Sequence, residues 1–103
     1  MGEIEYLVML YDYYGELFNE QQRKYFEGYY FDNLSLSEIA LNEDKSRNAV
    51  HKCIKNVCNK LYEYEGVLHL YEKGNRLKKV INKIDNEDIK KELRELLWRI
   101  DYQ

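Results

Sequence analysis

The stretch of sequence that decides the fold is residues 35–57, which read SLSEIALNEDKSRNAVHKCIKNV. Ser35 and Glu38 form a capping-box pattern, in which each side chain bonds a free backbone N–H at the start of a helix. The polar run NEDK then predicts a turn, and Ser46 after it is a suitable N-cap for another helix. These residues therefore predict a short helix over about 35–42, a tight turn and a second helix that begins after Ser46.

Two helices joined by a tight turn are the layout of a helix-turn-helix motif, with the small Ala40 where the helices cross. The second helix has an apolar side, which consists of Val50, Cys53, Ile54 and Val57. Its other side is predicted to contact nucleic acid through Ser46, Arg47, Asn48, His51, Lys52 and Lys55. Arg and Asn suit the edges of guanine and adenine, and Lys suits phosphates. The alternative is the ordinary solvated basic face of a bundle helix.

The turn itself departs from the usual helix-turn-helix pattern. Typical turns carry a Leu, a Gly in the left-handed region and an aliphatic residue, whereas this chain has Glu43, Asp44 and Lys45. Asp44 tolerates a positive φ better than most residues, but we expect the missing apolar anchors to loosen the first helix against the second. The carboxylates of Glu43 and Asp44 also lie beside the surface that is predicted to bind phosphates, which counts against sequence-specific DNA binding.

Apolar periodicity predicts further helices on both sides of the motif. A first helix ends near Gly15, and its predicted core face is Ile4, Leu7, Val8, Tyr11 and Tyr14. A second, over about 20–31, starts at a capping box of Asn19 and Gln22. Its aromatic stripe, predicted to lie in the core, is Tyr25, Phe26, Tyr29 and Tyr30. Asp85-Asn86 caps a last helix, whose apolar positions are Ile89, Leu93, Leu96 and Ile100, with Trp98 at its flank.

Beyond Ser46 the apolar positions recur at alternating spacings of four and three, which is the pattern of an a/d seam. The seam starts at Val50 and continues through Ile54, Val57, Leu61, Tyr64, Leu68 and Tyr71. Such a seam packs on the first two helices or on a second copy of the chain. We expect both, so the residues from Ile54 onward are the predicted homodimer seam. Gly66 and Gly74 weaken a helix, so a bend or break is expected at one of them.

The composition agrees with an all-helical protein. The 103 residues include no proline and five glycines, and 45% of them are hydrophobic. We therefore expect an all-α bundle of about six helices with a long central helix, in a single domain over residues 1–103. Within it, the helix-turn-helix is assigned to 35–57 and a C-terminal helical extension to 61–103. No apolar run approaches the roughly 20 residues that span a bilayer, and the start lacks signal-peptide features, so a cytoplasmic protein without membrane insertion is expected.

The sequence offers little for catalysis or metal binding. It has no glycine-rich phosphate loop, Gly-x-Ser-x-Gly elbow or His-Glu-x-x-His motif. Cys53 and Cys58 are five residues apart, which is not the spacing of zinc or redox motifs, and they are predicted to be buried small apolar residues. His51 and His69 show no ligand spacing with them. We therefore expect no enzyme activity, no cofactor and no metal site.

The net charge of −3 hides a segregation of charge along the chain. Residues 1–43 hold two basic and nine acidic side chains, residues 44–60 hold five and one, and residues 61–103 hold nine of each. Contacts with phosphates must therefore come from the local basic stretch, and affinity from charge alone should be modest. A second basic patch, which could contact RNA or protein or be a solvated helix face, is Arg76, Lys78, Lys79 and Lys83.

Several segments together resemble the YlxM family of helix-turn-helix proteins. The segments are DYYGELF at 12–18, QQRKYF at 21–26, LSLSEIA at 34–40, SRNAV at 46–50, LYEYE at 61–65 and LYEK at 70–73. The similarity covers about residues 6–75, and LSLSEIA is also similar to the DNA-binding region of sigma factors. The resemblance implies an all-helical bacterial protein whose gene neighbours that of the signal recognition particle GTPase and which regulates that pathway. It also implies a supporting helix at 35–40 and a recognition helix at 46–55.

Three functional hypotheses follow. The first is a non-enzymatic regulator of the signal recognition particle that binds the particle's RNA, its GTPase, or both. The second is a sigma-like transcriptional regulator that binds DNA. The third is a dimeric protein-interaction module in which the helix-turn-helix serves only as scaffold.

Overall fold

The computed structural model describes residues 2–101, with the backbone alone for residues 98–101. In this part of the chain the helices are α1 Glu3–Tyr14, α2 Glu20–Tyr30, α3 Leu36–Glu43, α4 Arg47–Leu68, α5 Leu70–Ile81 and α6 Glu87–Asp101, and a 3-10 turn at Gly15–Leu17 joins α1 to α2. The all-α bundle of about six helices with a long central helix is confirmed. The side chains of Trp98 and Ile100 lie outside the described residues. The division into 35–57 and 61–103 interrupts the continuous α4 and stays a prediction.

The helix starts follow the capping patterns of the sequence. Asn19 and Gln22 bond each other's backbone N–H at 2.9 Å in both directions. Ser35 and Glu38 do the same at 3.0 Å. Single caps of 3.1 Å begin two more helices, from the Ala49 N–H to Ser46 Oγ and from the Ile89 N–H to Asn86 Oδ1. Each bond satisfies an N–H that has no partner inside its helix, so these predicted starts are confirmed.

The apolar side chains form two buried clusters along α4. The bundle core, between α1, α2 and α4, consists of Leu7, Leu10, Tyr11, Tyr14, Phe18, Phe26, Val57 and Leu61. The motif core, beneath α3, consists of Tyr25, Ile39, Ala40, Val50 and Ile54. Two predicted core residues, Ile4 and Tyr29, are exposed instead, and both line a surface cleft. Leu10, which the sequence analysis did not place in the core, is fully buried.

The predicted seam is a real apolar stripe, but its partner is the chain itself. Val50, Ile54, Val57 and Leu61 are buried in the two core clusters. Tyr64 and Tyr71 are half-buried against the bundle core, and only Leu68 is exposed. The homodimer seam of Ile54, Val57, Leu61, Tyr64, Leu68 and Tyr71 stays a prediction. Helices of the same chain cover its buried residues, so little of its apolar surface is open to a second copy.

The long apolar pattern breaks at His69, not at Gly66 or Gly74. His69 lies between α4 and α5 with a φ of 54° and a ψ of 30°, in the left-handed region. Gly66 is inside α4 with nothing near its missing side chain, so it leaves the helix intact. Gly74 is inside α5, where an added Cβ would overlap the Tyr13 hydroxyl. The glycine at 74 therefore permits close packing of α5 on α1 rather than a bend.

A buried carboxylate stabilises the break at His69. Glu65 accepts hydrogen bonds from the Tyr14 hydroxyl at 2.6 Å, the Tyr71 N–H at 3.0 Å and the Glu72 N–H at 3.2 Å. The Tyr14 hydroxyl in turn accepts from the Leu70 N–H at 3.1 Å. These bonds satisfy the free N–H groups at the start of α5. Burial and the bond to Glu65 raise the pKa of Tyr14 well above its usual value.

The last two helices form a hairpin with a partly open apolar surface. Ile81 and Leu97 are buried, and Leu93 is half-buried. The exposed apolar side chains of this hairpin, which we call the hairpin face, include Leu77, Val80, Ile89 and Leu96. No helix among the described residues is long and apolar enough to span a membrane.

Candidate nucleic-acid interface

The turn between α3 and α4 is well formed despite its unusual residues. Asp44 takes the left-handed conformation, with φ 54° and ψ 47°. The Lys45 N–H bonds the Ala40 carbonyl at 2.9 Å, and the Asp44 N–H bonds the Leu41 carbonyl at 3.4 Å. This pair of bonds is a Schellman motif, which satisfies the last carbonyls of a helix and usually has Gly at the left-handed position. The predicted tolerance of Asp44 for a positive φ is confirmed.

Other contacts stand in for the apolar anchors that the turn lacks. Ile39 and Ala40 on α3 are buried in the motif core together with Val50 on α4. Glu43 forms a salt bridge of 3.1 Å with Lys24 on α2. The Glu43 carboxylate is therefore held by a lysine of α2. Asp44, the other acidic residue of the turn, remains exposed beside the start of α4.

The residues predicted to contact nucleic acid lie together on the surface at the start of α4. Ser46, Arg47, Asn48, His51, Lys52 and Lys55 are all exposed, and we call them the α4 basic face. Within the described residues, Arg47, Lys52 and Lys55 form no salt bridge. Ser46 differs from the rest, because its hydroxyl caps α4. The cationic groups of this face are therefore open to an anionic ligand.

A cleft adjoins the α4 basic face, and the sequence analysis did not foresee it. One part, of about 560 Å³, opens between the end of α2, the start of α3 and Arg47. A second part, of about 300 Å³, runs along α4 past His51. Tyr29, Tyr30 and Leu36 line both parts, so the two parts adjoin each other. We call it the aromatic groove; its lining includes Tyr29, Tyr30, Leu36, Arg47, Lys55 and Tyr62.

The second basic patch lies on a different part of the molecule. Arg76, Lys79 and Lys83 are exposed, whereas Lys78 is half-buried, with its charge near the Asp12 carboxyl. The patch follows the far end of α4, whose 22 residues correspond to about 33 Å of helix rise. The structure thus brings the residues of the α4 basic face together and leaves Arg76, Lys78 and Lys79 on α5, with Lys83 in the turn after it.

The two cysteines are consistent with a structural role. Cys53 and Cys58 are free and half-buried, and both pack against the core clusters. Burial raises the pKa of both thiols, so the reactive thiolate form is less populated at neutral pH. The Cys58 sulfur lies 3.7 Å from the Tyr30 hydroxyl. No group of three or more potential metal ligands occurs in the part of the chain that the structure describes.

Comparison with known proteins gives a consistent result. A family model described as "Putative helix-turn-helix protein, YlxM / p13 like" (UPF0122) matches residues 1–99. A UPF0122 protein of Ureaplasma urealyticum is 36% identical over 91 residues, covering 88% of this chain and 92% of the relative. A UPF0122 protein of Clostridium acetobutylicum is 40% identical over 98 residues, covering 95% and 77%. No solved structure matches the chain.

Proposed function

The chain belongs to the UPF0122 family of YlxM/p13-like helix-turn-helix proteins, and from that premise we propose that it is a cytoplasmic, non-enzymatic accessory protein of the signal recognition particle. In this proposal it binds the particle's RNA, its GTPase, or both. Membership of a helix-turn-helix family suggests nucleic-acid binding. The link to the signal recognition particle rests on the resemblance of the sequence segments described above to the YlxM family.

The observation that carries RNA binding is the α4 basic face. Arg47, Lys52 and Lys55 project from one exposed helix end without a salt bridge among the described residues. Cations arranged in this way gain binding energy by displacing counterions from phosphates. The chain as a whole is acidic, with a pI of about 5.4. The proposed contact is therefore local, and it suits a short structured RNA better than a long duplex.

A sigma-like DNA-binding regulator is the second candidate. The observation in its favour is the well-formed Schellman turn, which presents Arg47 and Asn48 at the start of the recognition helix. These are the side chain types that read guanine and adenine in the major groove. Against it stands the exposed Asp44 carboxylate, which would lie next to the phosphates of a duplex. We therefore place RNA first.

The test is a binding titration against the particle's RNA, its GTPase and duplex DNA, each at several salt concentrations. Binding through phosphates should give a log–log salt slope several units negative, whereas a packed protein interface should show little dependence on salt. The variant carries Arg47→Gln, Lys52→Gln and Lys55→Gln together. We expect it to bind RNA more weakly and with a slope about two units less negative, since each lost phosphate contact removes roughly 0.7 to 0.9 units.

A matched control removes three charges elsewhere, through Arg76→Gln, Lys79→Gln and Lys83→Gln. It should leave the slope for RNA unchanged, since these residues lie beyond the far end of α4. If the α4 variant binds RNA and DNA as tightly as the wild type does, the recognition-helix proposal is wrong. Binding of the GTPase alone, with little effect of salt, would identify the GTPase as the partner and would contradict the RNA contact proposed for the α4 basic face.

Self-association is a separate proposal and needs a surface other than the buried seam. We assign it to the hairpin face, which leaves Leu77, Val80, Ile89 and Leu96 exposed. Residues 70–101, which include both helices of the hairpin, carry nine basic and seven acidic side chains, so the net charge of each copy there is small and the repulsion between two copies is weak. Sedimentation should show a dimer at micromolar concentration, and Val80→Glu with Leu96→Glu should give a monomer. A wild-type monomer at that concentration contradicts the proposal.

A further inference from the structure

The aromatic groove has features that the α4 basic face alone does not explain. Tyr29 and Tyr62 are each 38% exposed, although both are large rings that a folded protein normally buries. Neither ring is loosely held. Tyr29 meets Tyr30 edge to face, with centroids 5.0 Å apart. The Tyr62 hydroxyl donates to Glu3 at 3.1 Å, and its ring lies 6.1 Å from that of Tyr6. Exposed rings held in fixed positions are the requirement for stacking with a ligand ring.

The charges around the groove come from a basic wall on α4 and from two carboxylates on other helices. Arg47, His51 and Lys55 succeed one another at intervals of four residues, so they line one side of α4. Glu3 on α1 and Glu38 on α3 line the same groove, and Glu3 lies close to α4 because it accepts from the Tyr62 hydroxyl. The Ser35 N–H bonds Glu38 and lowers the pKa of this carboxyl. Phosphates are therefore attracted to the basic wall and repelled by Glu3 and Glu38.

We infer that the aromatic groove holds an unpaired RNA base, which stacks on Tyr29 while its flanking phosphates lie along Arg47 and Lys55. This inference rests on the proposed function and names the part of the RNA that this surface recognises. The groove volumes of about 560 and 300 Å³ fall within the range of small-ligand sites. Single-stranded RNA is recognised through bases that are splayed out and stacked on aromatic side chains, beside cationic groups that follow the backbone.

A fully paired duplex does not fit the same surface. Its bases are stacked inside the helix, so no base face is available to Tyr29. An acidic peptide would meet the basic wall but would place its carboxylates near Glu3 and Glu38, which line the same groove. A base meets neither problem, because its apolar faces contact rings and its amino groups donate hydrogen bonds to carboxylates.

The experiment compares a hairpin RNA that carries the fluorescent base 2-aminopurine in its unpaired loop with a fully paired RNA of the same length. We expect the wild type to bind the hairpin about 5- to 150-fold more tightly, which corresponds to stacking of one base. The fluorescence of 2-aminopurine should fall on binding, because stacking quenches it. Tyr29→Leu, which keeps apolar bulk without a flat ring, should lose both the preference and the quenching and leave affinity for the paired RNA unchanged.

The matched control is Phe31→Leu, which removes an equally open ring outside the aromatic groove. It should retain both the preference for the hairpin and the quenching. If the wild type binds both RNAs equally, or if Tyr29→Leu with Tyr62→Leu preserves the preference, the inference is overturned. The proposed function survives that result as long as the α4 charge variant still weakens binding. Absence of RNA binding by the wild type overturns the inference and the RNA-binding part of the proposed function. If an acidic peptide displaces the hairpin and the fluorescence of 2-aminopurine stays constant on binding, only the inference is overturned.

Discussion

The four N-terminal helices and the C-terminal hairpin bury their apolar side chains to very different extents. Leu10, Phe26 and Leu61 in the N-terminal part have no exposed surface. In the hairpin, by contrast, the side chains of the hairpin face remain open to solvent, and Leu96 is 77% exposed. The difference shows that α1 to α4 supply their own core, whereas α5 and α6 depend on a few attachment points. A rigid core beneath α3 and α4 also holds the α4 basic face in one conformation.

The attachment points of the hairpin are specific. One is the Glu65 carboxylate, which caps α5 and bonds Tyr14 on α1. Another is the close approach of Tyr13 to Gly74, and Tyr71 also packs edge to face against Tyr6 and Tyr13. These contacts join α5 to α1, so a change at Glu65 or Gly74 should loosen the hairpin while the N-terminal helices remain folded. Four sets of substitutions, each with a matched comparison, test these contributions to stability.

The largest effect is expected from Leu61→Ala compared with Leu96→Ala. Leu61 has no exposed surface, so its truncation leaves a cavity in the bundle core and should lower the free energy of unfolding by about 2 to 5 kcal/mol. Leu96 is 77% exposed, and its truncation should change that free energy by less than about 0.5 kcal/mol. Urea denaturation followed by circular dichroism measures both. Similar losses in the two variants would contradict the contrast between the regions.

The next effect is that of Glu65→Leu, with Glu63→Leu as its control. Without the Glu65 carboxylate, the Tyr14 hydroxyl and two N–H groups of α5 lose their acceptor. We expect a loss of about 2 to 3 kcal/mol in the free energy of unfolding, since each buried unsatisfied group costs roughly 1 to 3 kcal/mol and water reaches some of them. Hydrogen exchange should accelerate in α5 more than in α2. Glu63, which is exposed, should behave as the wild type does.

A smaller effect is expected from Gly74→Ala compared with Gly66→Ala. The new methyl group at 74 overlaps the Tyr13 hydroxyl and lies 3.1 Å from the ring carbon that bears it. We expect a loss of about 1 to 3 kcal/mol, as in other overpacked sites. At 66 nothing lies within 4 Å, so alanine should stabilise α4 by about 0.4 to 1 kcal/mol. Thermal melting should show that the two variants change stability in opposite directions. Adding Tyr13→Phe to Gly74→Ala should restore part of the lost stability.

The smallest effect is expected at the turn of the motif. Asp44→Gly removes the cost of the left-handed conformation and should stabilise the protein by less than about 1 kcal/mol. Asp44→Asn removes the charge but keeps a side chain that tolerates this conformation. If Asp44 opposes RNA binding through its charge, both variants should bind RNA slightly more tightly than the wild type does. Asp44→Ala should destabilise the protein, and a neutral result there would count against strain at this position.

The sequence by itself determined the features that depend on neighbouring residues. The helix starts at Asn19, Ser35, Ser46 and Asn86 were predictable because each cap bonds an N–H only three residues away. The exposure of the α4 basic face was predictable as well, since charged side chains opposite an apolar stripe remain in water. Helix number and the helix-turn-helix layout followed from the same local rules.

Tertiary structure alone decided what each apolar surface meets. The seam on α4 could pack on the same chain or on a second copy, because burial stabilises an apolar side chain whichever surface covers it. The break at His69 depends on a hydrogen bond between Tyr14 and Glu65, which are 51 residues apart, and no local pattern reports it. Tyr29 belongs to the same aromatic stripe as Phe26, yet Phe26 is fully buried in the bundle core whereas Tyr29 lines the aromatic groove, a difference that depends on how α1, α3 and α4 pack around α2.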